Sequence, residues 1–319
     1  MKLRPTRSPR NRNRGLSLIE LLVSMVIGLV IMIAVVSAYI GASGATRVAE
    51  AQARMNEDGQ AVLTILAQQL RMAGNNPKQV DYDVSTPRNP VYNTVTYIVR
   101  GCDGKFTDIA ATDISTLACA GGGGPDAIAV TYEADRYNTV PTAGGAPTDC
   151  LGQALTVSNA TAKVWNGAAS VPTNVTYTLA ENRFYVGTST AVVSPSLYCK
   201  GSGGASPQTL VENVEDLQFV YGTAPATATP STLTVAGYLN AGDMATATGL
   251  SALASDELRW KQVVTVRICA VVRSEKPVAQ DSDSARYIKC DGTISGAQAD
   301  LRLRRAYSTT VVLRNRVPS

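Results

Sequence analysis

The sequence predicts an α+β protein, with one long N-terminal transmembrane and amphipathic helix packed on a large antiparallel β-rich head. Three observations predict it. Residues 16–76 contain no proline. Within that stretch, residues 21–40 are uncharged and the pattern then becomes amphipathic. From Pro77 the apolar period changes to two, as strands require. The 319 residues are 45% apolar and 17% charged, which supports a packed core and excludes an extended disordered chain. There is no histidine. That removes Ser-His-Asp and Cys-His chemistry and any His-ligated metal.

The first element is a basic leader, residues 1–15. It holds six of the 29 basic residues and no acid, so the rest of the chain carries 23 basic against 25 acidic, a net of −2. The formal charge of +4 therefore comes from a short tail and argues for no nucleic-acid surface. Twenty helical residues from 21 to 40 would span about 30 Å, the apolar thickness of a bilayer. The leader would stay cytoplasmic and the chain beyond would be exported. A cleaved secretory signal and a plain signal anchor both leave Glu20 unexplained, because a carboxylate in a membrane span costs roughly 3 kcal/mol. Cleavage after Gly15 would instead create an α-amine at Leu16 that neutralises Glu20, within one subunit or between neighbours.

The helix is expected to run on from the membrane-embedded part, about 16–40, to residue 76. Met55, Val62, Leu66 and Ala73 form a stripe with Leu63 and Leu70 beside it, suited to packing on the chain's own head. Gly74 and Pro77 mark its end. Gly28, Gly41, Gly44 and Gly59 read as weak points within it. Residues 77–319 form the head. Strands are expected at 94–99, 127–132, 217–221, 262–273 and 306–313, and a hairpin is expected from 175–179 and 184–186 around Glu181-Asn182-Arg183. Residues 121–125, 201–207 and 222–231 read as loops.

Six cysteines, Cys102, Cys119, Cys150, Cys199, Cys269 and Cys290, all follow the apolar segment. In an oxidising compartment they predict disulfides, with 15 possible connectivities. Short loops favour Cys102–Cys119 and Cys269–Cys290, leaving Cys150–Cys199 as the third. No metal and no cofactor are expected, since no cysteine spacing suits zinc. Asp281-Ser282-Asp283 is too sparse for calcium. Arg302, Arg304 and Arg305 read as a solvated sheet face, and Glu212, Glu215 and Asp216 as acidic surface. No catalytic constellation is visible, so an enzyme is not expected.

Gly15 followed by Leu16-Ser17-Leu18-Ile19-Glu20 and an apolar run resembles the class III signal of type IV pilins and type II secretion pseudopilins, although Leu16 stands where Phe is commonest. Residues 56–60 and 70–74, 210–217 with Tyr221, Trp260 with 263–267, and 307–315 resemble PilW-type minor pilins. The resemblance implies cleavage after Gly15 by a prepilin peptidase, N-methylation of Leu16, and contact of Glu20 with a neighbour's N-terminal amine. It implies a single-pass inner-membrane protein with a periplasmic head, later placed at or near a pilus tip. The implied partners are other minor pilins, the major pilin, the inner-membrane assembly platform and a tip adhesin, with no nucleic acid bound directly. The implied role is to initiate or cap a pilus serving twitching motility, adhesion or DNA uptake. A J-type pseudopilin of type II secretion is the alternative within the class. A membrane-anchored periplasmic enzyme is the alternative outside it.

Overall fold

The computed structural model describes residues 15, 17–75, 97–111, 114–166, 168–204, 206–227, 234–247, 249–253 and 255–315. Residues 1–14, Leu16 and residues 76–96 lie outside the described residues. The chain divides into two units, Met1–Glu50 and Ala51–Ser319. Helix α1, Leu18–Met72, is continuous over 55 residues.

Within the second unit the expected stripe of α1 is the buried one. Met55, Val62, Leu63, Leu66, Leu70 and Ala73 all join the hydrophobic core. The helix stops where Gly74 adopts φ +72°, a left-handed conformation that disfavours residues with a Cβ. Asn315, from the far end of the chain, donates its side-chain amide to the carbonyls of Arg71, Met72 and Ala73 at 3.1–3.3 Å. These are among the carbonyls a helix end leaves without partners.

Two antiparallel sheets complete the unit. The first holds β1 (Val99–Cys102), β2 (Ala127–Glu133), β3 (Val157–Trp165), β4 (Ser170–Gly187), β5 (Ser196–Lys200) and β6 (Gln208–Glu212). Their order is β1-β2-β4-β5-β6, with β3 pairing the first half of β4. The second holds β7 (Val214–Thr223), β8 (Gly237–Leu239), β9 (Val263–Arg273) and β10 (Arg304–Val312), in the order β10-β9-β7-β8. A short helix α2, Asp256–Trp260, precedes β9 and is capped by Ser255, which accepts from Leu258 N. One core joins α1 to both sheets, with Ile128 and Phe184 from the first and Phe219 and Ile268 from the second.

Four expectations need correction. Residues 94–96 lie outside the described residues, and the strand near them begins at Val99. Gly222 and Thr223 belong to β7 rather than to a loop. Glu181-Asn182-Arg183 is no turn. It lies mid-strand in β4, opposite Thr131, Val130 and Ala129. Its polar groups are paired: Glu181 and Arg183 sit on one face at 3.3 Å, and Asn182 donates to Gln69 at 2.8 Å and Tyr132 at 3.2 Å. Burial with partners thus overrides a turn-like composition. Finally, Arg304 is no solvated cation. Its side chain is 5% exposed and bonds Glu215 at 2.7 Å and Asp300 at 2.7 Å. The Arg304 guanidinium holds the Asp300 carboxyl down at about 2.

Gly59 is also more than a weak point. A Cβ there would sit 2.5–2.6 Å from the Tyr307 ring, whose hydroxyl donates to Asn56 at 2.7 Å. Gly59→Ala should therefore lower the stability of the second unit by about 1–2 kcal/mol in urea unfolding, despite its better helix propensity. Gly44→Ala, with open space around it, should not.

Candidate assembly site at the N-terminal helix

The N-terminus of α1 carries a reciprocal cap. Ser17 Oγ accepts from Glu20 N at 3.3 Å, while Glu20 Oε2 accepts from Ser17 N at 3.1 Å and Ser17 Oγ at 3.3 Å. Ser17 O takes the first helical bond, from Leu21 N. This is a capping box, in which Ser at the N-cap and Glu three residues on satisfy each other's amides. The carboxylate also stands at the positive end of the helix dipole. The Ser-x-x-Glu spacing before an apolar run was legible in the sequence, but the membrane cost of Glu20 drew the reading to the charge alone.

Glu20 is the one charge between Ser17 and Thr46. Around it the helix is apolar on every side: Leu18, Ile19, Met25, Leu29 and Ile33 are all exposed. The most apolar 18-residue window of α1 has a mean hydropathy of 2.8 with none of it buried. By length and composition this helix can cross a membrane. Gly28 and Gly41 face open space there. Gly15 is described ahead of the helix and Leu16 is not, so the geometry of the scissile bond lies outside the described residues.

The six cysteines form three bridges: Cys102–Cys119, Cys150–Cys199 and Cys269–Cys290, with Cα separations of 5.4, 6.6 and 5.8 Å. The first ties β1 to the loop before β2. The second ties the 147–154 turn to β5, and the third ties β9 to the small hairpin carrying Ile288 and Ile294. Asp149 orders the 147–154 turn by accepting from Leu151 N, Gln153 N and Gly203 N. Asp281 caps its own loop through Ser284 N. Among the described residues no group of three or more acidic or cysteine side chains is placed to hold a metal.

Two family models match. The prokaryotic N-terminal methylation motif covers residues 10–36, which include Gly15, Leu16 and Glu20. The type IV pilus-assembly protein W family, PilW, covers 183–315. That span takes in the last five residues of β4, all of β5 and β6, and the whole second sheet. Over these two segments the chain is similar to type IV pilin-like proteins. The matched PilW family is one of pilus-assembly proteins, which are structural components, and the methylation motif implies partners in pilus assembly. The motif and the apolar half of α1 together fit a membrane-anchored pilin. No curated protein matches the chain. The solved type IV-like pilin TTHA1219 from Thermus thermophilus is similar at 10% identity, over 83% of this chain and 98% of that one, with a TM-score of 0.36. At that distance the assignment rests on the two sequence matches. The later resemblance blocks, 210–217, 263–267 and 307–315, all fall inside the PilW-matched span, whereas the block at 56–74 lies outside it.

Proposed function

We propose that this chain is a minor pilin that assembles with other minor pilins to initiate or cap a type IV pilus, and so supports motility, adhesion or DNA uptake. The observation that carries the reading is Glu20, a lone carboxylate at the N-terminus of an exposed, otherwise uncharged helix segment, inside the matched methylation motif. In this reading a prepilin peptidase cuts after Gly15 and the new amine at Leu16 is methylated. The new amine lies next to Ser17, which already bonds Glu20. A neighbour's amine can replace it there, because a carboxylate has more acceptor sites than the two Ser17 bonds use. Residues 16–40 would hold the chain in the inner membrane, with residues 77–319 in the periplasm. Incorporation would then place the head near the pilus tip, beside the major pilin and above the assembly platform.

Processing is the direct test. Mass spectrometry of the N-terminal peptide from membrane fractions should show a mature chain beginning at Leu16 and carrying one methyl group. A start at Tyr39 would indicate ordinary secretion and overturn the reading. A deletion strain should lose surface pili; one that keeps its pili and loses protein secretion would point to the pseudopilin instead.

A further inference from the structure

Arg273 ends β9 and stands directly opposite Arg304, the first residue of β10. Like charges placed across a strand pair repel. Arg304 is fully compensated. Its Nε and Nη2 donate to the two oxygens of Glu215 at 2.7 and 3.2 Å. Its Nη1 and Nη2 donate to the two oxygens of Asp300 at 2.9 and 2.7 Å. Arg302 is engaged as well. Its Nη1 donates to the carbonyls of Ser274 and Glu275, and its Nε lies 3.9 Å from Asp300.

Arg273 has no such relief. Among the described residues its guanidinium makes no hydrogen bond and no ion pair. Its Nε is buried against the protein without an acceptor, while its Nη atoms stay open to solvent. The charged groups that act on it most strongly are Arg302, Glu215, Arg304 and Asp300. Three cations thus meet two carboxylates, and Arg304 takes both oxygens of each. Glu275, two residues on from Arg273, is held by Arg54 at 3.1 Å. One positive charge is left in excess, and it sits on Arg273. An arginine cannot shed that charge. A buried N–H without an acceptor is also costly, and its retention calls for a ligand or a use. Packing is no sufficient use, because an uncharged side chain of similar length would fill the place without the repulsion.

We propose that Arg273, with Arg302 beside it, is an oxyanion-binding site at the end of the second sheet where β9 stops and β7 and β10 begin. The ligand is a carboxylate or a phosphate, two of whose oxygens match the paired Nη donors of a guanidinium. Chloride offers no such pair. The inference is independent of the assembly role and goes beyond it.

The test is thermal unfolding of the full-length protein in uncharged detergent micelles, at neutral pH and matched ionic strength. The buffers contain chloride, acetate or inorganic phosphate. A ligand that binds only the folded state raises the midpoint, by about 3–6 °C at ten times its dissociation constant. At least one of acetate and phosphate should do so, and the larger shift names the oxyanion. Arg273→Met should lose the increment and unfold no lower than wild type in chloride, since it removes a repelled cation. Anions gathered by the basic leader are common to both proteins and cancel. A wild-type midpoint that neither oxyanion moves by more than about 1 °C would overturn the site. An equal increment in Arg273→Met would do the same. A variant that unfolds earlier in chloride, or fails to fold, would mean that Glu215 and Asp300 already neutralise Arg273, and would also overturn it.

Discussion

Glu20→Gln should abolish surface piliation while leaving the protein inserted and α1 folded. The substitution separates two jobs that Glu20→Ala would remove together. A glutamine can still accept from Ser17 N, as in the Gln form of a capping box, so the helix start survives. It has no charge for a neighbour's α-amine. Loss of one charge-assisted contact in an apolar setting costs on the order of 2–3 kcal/mol per junction, a drop of about 30- to 160-fold in incorporation. Insertion should improve slightly in both variants, because the membrane no longer receives a carboxylate. Three readouts check this: membrane-fraction abundance, mature N-terminus, and surface pili by shearing. Normal pili with Glu20→Gln but none with Glu20→Ala would show that the cap, and not the charge, is what assembly needs. Normal pili with both would remove Glu20 from the mechanism.

Much of α1 was legible because a helix is local. Proline absence, the Met55–Ala73 stripe and Gly74 each act within a few residues, and the burial and the positive φ follow from them. Strands β2, β7 and β9 were legible for a similar reason, since each carries and buries several apolar residues, and β10 was legible from its β-branched run Thr309-Thr310-Val311-Val312. Strands β6 and β8 were not, because they are short, and β3 was not, because its sequence Val157–Trp165 shows only a weak period-two apolar pattern, carried largely by alanines. The turn read at 181–183 failed on a nonlocal fact. Asn182 is satisfied by Gln69 of α1, 113 residues away, and no local rule foresees it. Gly59 shows the same limit: its need for a bare Cα comes from Tyr307, on the last strand. At the candidate site Glu20 was legible from its charge in an apolar run, while the Ser17 cap, written in the Ser-x-x-Glu spacing, came from the structure.

Removing the bridges should have the largest effect on the second unit, and unequally. The chain-entropy model scales with loop length, and the three separations are 17, 49 and 21 residues. It assigns roughly 3 kcal/mol to the two short loops and roughly 4 kcal/mol to the long one. Cys150 lies in the turn ordered by Asp149, and Cys199 is fully buried in β5. A double Cys150→Ala, Cys199→Ala variant should therefore lose about 4 kcal/mol, against about 3 for Cys102→Ala with Cys119→Ala, as read by urea unfolding. A domain of this kind has about 5–15 kcal/mol in all. Full reduction, at about 10 kcal/mol, should leave it unfolded or close to it. Before any mutation, alkylating the unreduced protein and mapping its peptides should find no modified thiol and three cross-linked peptide pairs with this connectivity. Labelled Cys150 and Cys199 in folded protein would mean that the 147–154 turn is held by Asp149 alone, and the ranking of the three bridges would then reverse.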